Sequence, residues 1–111
     1  MELLTEEIRN QIPELTSQDE LDDPVVYAKF FAPWSNRTWL ATEGEPVLDE
    51  IGEEIDFEFF GRIHDREVHW GSWTLNELLS VKDLSGLVDV KRDPHFDPKP
   101  ISEIANVASE V

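Results

Sequence analysis

Within F-F-G-R-I-H-D-R-E-V-H-W-G-S-W, Phe59 to Trp73, the residues equipped for chemistry are His64, Asp65, Glu67 and His69. Imidazole and carboxylate both ligate zinc and related ions, and a turn between two strands can bring such groups together. The spacing fixes no further ligand, and the remaining histidine, His95, lies in a proline-rich segment. Surface histidines are therefore expected here and no metal centre, with His64, His69 and Trp70 kept as a candidate ligand site. Carboxylate pairs for acid–base work are easy to find among 25 acidic residues. Their abundance removes their diagnostic value, because hydrolysis needs two carboxylates at a controlled separation in a cleft. No G-x-S-x-G elbow, phosphate loop or dinucleotide fingerprint occurs. Cysteine is absent, which removes thiolate sites and disulfides. The expectation is a protein that is not an enzyme and holds no cofactor, with a metal-dependent or carboxylate-based enzyme as the weakest alternative.

Charge points to a different class of function. The 25 acidic residues outweigh 9 basic ones, for a formal net charge of -16. Such a field repels phosphate backbones and anionic lipid, so direct nucleic-acid or membrane binding is not expected, and a basic protein surface is the natural partner. Glu43, Glu45, Asp49, Glu50, Glu53, Glu54, Asp56 and Glu58 follow one another with no basic residue between them. A run of this kind can present carboxylates at intervals similar to DNA phosphates and so occupy the basic channel of a nucleic-acid-binding host protein. The bland alternative is a solvated acidic loop that keeps the chain soluble. Immediately before it, K-F-F-A-P-W-S-N-R-T-W-L-A-T-E places Trp34 in a turn and puts Arg37 and Trp39 on one side of a strand. Arginine stacked on an aromatic ring is a common packing contact and also a common interface hot spot. Trp34 and Arg37 therefore join the acidic run as candidate partner-binding residues, while Phe30, Phe31 and Trp39 are expected in the core. A regulatory or ligand-binding domain with its site near the hairpin turns is the alternative function.

The elements that must position these residues follow from periodicity and caps. Leu4, Ile8 and Ile12 recur one helical turn apart, with Thr5 as a cap, Glu6 and Glu7 in the first turn and Pro13 as a stop. Val25 to Ala32 and Arg37 to Thr42 form a hairpin across Pro33–Asn36. Residues 43–56 are expected as an acidic loop or a short helix carrying Val47, Ile51 and Ile55. Phe57 to His64 and Val68 to Trp73 form a second hairpin. W-T-L-N-E-L then combines a Thr74–Glu77 capping box with a Trp73–Leu78 hydrophobic staple, predicting a helix from Leu75 to about Val81, ended by Ser85–Gly86. Leu87 to Arg92 alternates as a short strand, and residues 94–111 form an extended, proline-rich tail. The whole is one α+β domain over residues 1–111: a small antiparallel sheet of four to five strands, an N-terminal helix and a short capped helix after strand four. The N-terminus has acids where a signal peptide carries basic residues, and no apolar run approaches a membrane span, so a cytoplasmic protein is expected.

Several stretches together resemble a known family. They are L-L-T-E-E-I (Leu3–Ile8), K-F-F-A-P-W-S-N-R-T-W-L-A-T-E-G-E-P (Lys29–Pro46), F-F-G-R-I (Phe59–Ile63), W-T-L-N-E-L-L-S-V (Trp73–Val81) and V-K-R-D-P-H-F-D-P-K-P-I-S-E-I (Val90–Ile104). On these the chain resembles the family catalogued as domain of unknown function 2958, small proteins of plasmids, phages and integrative elements. Around His64 to Ser72 it departs from the acidic, glycine-containing turn usual there. The family has no accepted catalytic residues, so the resemblance implies a setting, mobile DNA with its counter-defence genes, and no mechanism.

Overall fold

A computed structural model of the chain describes residues 2–104. Thr5 is extended, and its hydroxyl accepts a hydrogen bond from the Ile8 N–H at 3.2 Å, opening helix α1 (Glu6–Gln11). Strands β1 (Val25–Val26), β2 (Ala28–Phe31), β3 (Thr38–Leu48), β4 (Glu54–His64) and β5 (Val68–Thr74) follow. Helix α2 (Leu75–Ser80), strands β6 (Lys91–Arg92) and β7 (Lys99–Pro100), and a 3-10 turn (Ile101–Glu103) complete the chain order. The main sheet is antiparallel with the order β5-β4-β3-β2-β6, while β1 and β7 pair as a separate ribbon. The architecture is α+β. Neither helix is long and apolar enough to cross a membrane.

The two sheet faces differ in what covers them. On β4 the residues Phe57, Phe59, Gly61 and Ile63 are buried and alternate with Glu58, Phe60 and Arg62, as period two requires. The first set faces the helices. There Phe59 meets Trp73 in a stack at 5.7 Å and Phe30 edge-on at 5.4 Å, and Leu3, Leu4, Ile8, Ile12 and Leu78 close the layer. Each such side chain contributes about 1.5–3 kcal/mol on burial. On the opposite face, Leu40 packs under Val26, Ile101 and Ile104, a smaller cluster held by the β1–β7 ribbon.

A β-bulge governs β3. Ala41 pairs with Gly61 and Glu43 with Phe60, which leaves Thr42 as the extra residue. Before the bulge, Trp39 and Ala41 face the helices; after it, Glu43, Glu45 and Val47 lie opposite Phe60, Glu58 and Asp56 and face the other way. Gly61 stands across from this irregularity, and a methyl group there would fall on the Leu40 carbonyl.

Four expectations need correction. Residues 43–56 are neither loop nor helix but the distal half of the β3–β4 hairpin, closed at Asp49–Glu53. Pro46 is tolerated inside β3 because β2 pairs only with residues 38–41, so this part of β3 has a free edge and lacks no ladder bond. Phe31 is half-buried on the face away from the helices, across from Thr38, and is not in the main core. Helix α2 stops at Ser80; Gly86, at φ 76, belongs to a separate turn in which the Asp83 carboxylate accepts from Leu87 and Val88. The strand expected over 87–92 shrinks to Lys91–Arg92, with an isolated bridge between Lys82 and Asp89. Of the tail, residues 105–111 lie outside the described residues.

Gly61→Ala is expected to cost about 1–3 kcal/mol through backbone displacement. Gly71→Ala, where a methyl would meet Ile63 Cδ1 at an ordinary 3.4 Å, should change the melting temperature far less. Thermal denaturation of the two variants side by side checks this.

Candidate functional site

Most of the acidic run builds structure. The Glu43 side chain, 2 % exposed, accepts from the backbone N–H of Thr16 at 2.7 Å and of Gln18 at 2.8 Å. Glu45 accepts from Leu15 N–H at 3.0 Å, and the Gly44 N–H donates to the Pro13 carbonyl at 2.9 Å. Together these lay residues 13–18 along the edge of β3 that β2 has left. Gln18 extends the clamp, donating to the carbonyls of Val25 and Thr42 and accepting from Val25 N–H. Asp49 accepts from Ile51 and Glu53 N–H and shapes the hairpin turn. Arg9 binds Glu54 with both terminal guanidinium nitrogens, at 2.9 and 2.6 Å, and this pairing holds the Glu54 carboxyl below its ordinary range. Asp56 accepts from Asn76 N–H at the start of α2. Glu50, Glu53 and Glu58 are left with no side-chain hydrogen bond or ion pair among the described residues.

The tip of the same hairpin carries apolar residues that nothing covers. Leu48 is 57 %, Ile51 81 % and Ile55 57 % exposed, set among Glu50, Glu53 and Asp49. A large aliphatic side chain left in water forgoes its burial energy, and a group of them at one projecting turn marks a surface that meets something else.

The other candidate residues are dispersed. Arg37 lies over the Trp39 ring, 4.8 Å from its centroid, while Trp34 is exposed in the preceding turn. His64 pairs with Val68 and Ile63 with His69, so the two histidines fall on opposite faces and share no site. Among the described residues no three His, Asp or Glu side chains converge as metal ligands. His64 is 2 % exposed and neither ring nitrogen has a hydrogen-bond partner. Burial, reinforced by the Arg62 charge and partly opposed by Asp65, lowers its pKa. Trp70 shares the face of His64 and stacks on Phe60, with ring centroids 6.0 Å apart. These two rings wall an open concavity of about 760 Å³ between residues 15–24 and the β4–β5 face.

The family described as protein of unknown function (DUF2958) matches residues 3–111. The chain belongs to that family. No curated protein and no solved structure matches it. Membership therefore fixes kinship and leaves the arrangement of side chains to speak for function. Sequence reasoning missed Leu48 and the exposure of Ile51 and Ile55 because their spacing fits a helical face; the alternation of Phe57 and Phe59 with Glu58, continued backwards, is the signal that would have shown a strand. It also missed the concavity, whose lining comes from four separate segments.

Glu43→Gln keeps the side chain's shape but turns one acceptor into a donor facing an N–H. It is expected to cost about 1–3 kcal/mol and to speed hydrogen exchange at the amides of Thr16 and Gln18, with Glu50→Gln as a neutral control. For His64, the folded-state pKa lies below the free-chain value of about 6.5, so the unfolded chain takes the proton first. The stability from keeping it neutral is full above that pH and is lost as pH falls through it. The stability difference between wild type and His64→Phe should therefore shift in favour of the variant from pH 7 to 5; parallel melting curves across that range would contradict the assignment.

Proposed function

We propose that this protein is an acidic protein-binding module that grips a basic partner with the tip of its β3–β4 hairpin. The observation that carries this reading is the exposure of Leu48, Ile51 and Ile55 among the free carboxylates of Glu50 and Glu53. Aliphatic side chains supply the burial energy of an interface, while the net charge of -16 speeds the approach of a basic surface and disfavours acidic competitors. A line of DNA-like charges is a poorer description. Glu43 and Glu45 face inward to residues 14–18, and Asp49, Glu54 and Asp56 are occupied by contacts within the chain. Nucleic-acid-handling proteins have basic surfaces of the kind required, and the mobile-DNA setting implied by the resemblance supplies such partners in host defence.

The test is affinity capture from the native host with three tagged baits: wild type, Leu48→Ser/Ile51→Ser/Ile55→Ser, and Glu50→Gln/Glu53→Gln. The exposed positions leave folding intact, which a melting curve verifies. The serine bait should lose the partner. The glutamine bait should keep it with a slower association and a weaker dependence on salt. Recovery of the same partner in equal yield by all three baits would remove the hairpin tip from the interface.

A further inference from the structure

We propose that the concavity on the face opposite the helices is a receptor for a cationic side chain, an arginine presented by a partner protein. The proposal rests on the reading of a basic partner but concerns a second surface, away from the hairpin tip.

Its walls are of three kinds. Phe60 and Trp70 stack nearly parallel, with an interplanar angle of 12°, and Trp70 remains 47 % exposed, so an aromatic face is open to a ligand. Leu15, Leu21 and Pro24 line the side formed by residues 15–24. Asp19, Asp22 and Glu58 add carboxylates that have no side-chain hydrogen bond or ion pair among the described residues. The remaining polar lining is already spent: Glu43 is held by Thr16 and Gln18, and the Gln18 amide by Val25 and Thr42.

These groups select by charge and shape. Among the described residues no lysine, arginine or histidine lines the concavity; Arg62, paired with Trp70, stands at its border, and the carboxylates that do line it favour a cation over an anion. A guanidinium can stack on the Trp70–Phe60 wall and donate to the carboxylates, and its aliphatic stem suits Leu21 and Leu15. A volume of about 760 Å³ exceeds one side chain, which fits an arginine delivered with its flanking backbone. The receptor persists only if residues 15–24 stay in place, and the Glu43 and Gln18 hydrogen bonds hold them there.

The test uses the full chain and the peptide acetyl-Gly-Arg-Gly-amide, with its citrulline counterpart as the uncharged probe of equal shape. In titrations followed by NMR, the Trp70 indole N–H should shift saturably with the arginine peptide and not with citrulline. Trp70→Ala should weaken binding by about tenfold, and Asp22→Asn/Glu58→Gln by several-fold, both with a cooperative melting transition that shows the fold is kept. The serine variant of the hairpin tip should bind the peptide like wild type, so failure of the hairpin reading and failure of this one are told apart. No saturable shift, an equal response to citrulline, or undiminished binding by Trp70→Ala would each overturn the proposal. Dissociation of a dimer by the peptide would also overturn it, assigning the concavity to a second copy of the chain.

Discussion

A carboxylate at the bulge of β3 joins the two sides of the sheet. Carrying the Glu43 side chain to 2 % exposure costs several kcal/mol unless its oxygens are hydrogen-bonded. The backbone N–H groups of Thr16 and Gln18 meet that need, and the chain must therefore turn around the free edge of β3 from the helix-covered face to the other. Thr16 takes φ 71 in doing so, a conformation that costs a β-branched residue on the order of 1–3 kcal/mol. The strain persists because its N–H is one of the two that Glu43 holds. The extra residue at Thr42 is what aims Glu43 this way; without it, Glu43 would continue the line of Trp39 and Ala41 into the aromatic core.

The same economy runs through the molecule. Acidic side chains here serve repeatedly as acceptors for backbone N–H groups: Asp49 at the hairpin turn, Asp56 at α2, Asp83 in the loop after α2 and Asp23 at the 3-10 turn. Such bonds need no cation, which reconciles a net charge of -16 with an ordered fold. Composition alone therefore overstates how much negative charge is offered to a partner. Other carboxylates lie scattered over the surface, but those at the hairpin tip and around the concavity sit beside exposed apolar or aromatic surface, and that pairing separates them from mere solvation.

Much of this was legible because it is local. Thr5 and Thr74 cap their helices through the N–H groups of Ile8 and Glu77, and Trp73 and Leu78 are both buried as a staple requires. The Pro33–Asn36 turn and the stacking of Arg37 on Trp39 follow from residue type and alternation. The acidic run was misread for a physical reason: a one-residue bulge breaks the period of two between Ala41 and Glu43, and the spacing of Val47, Ile51 and Ile55 imitates a helix. His64 and His69 were grouped by nearness in sequence, whereas their odd separation across a short turn sends them to opposite faces. The concavity was invisible because Leu15, Glu43, Phe60 and Trp70 come together only through the sheet's register.

The ribbon of β1 and β7 sets an order in time. Val25 pairs with Pro100, Ile101 N–H donates to the Pro24 carbonyl, and Asp23 receives both donors of Ser102. A chain emerging from its N-terminus can assemble the helix-covered layer once Val90 and β6 are made, but Val26 and Leu40 must wait for Ile101 and Ile104. Such distant pairings form late. Through that interval one side of the sheet is a nascent surface without its cover, and a net charge of -16 opposes its contact with a neighbouring copy.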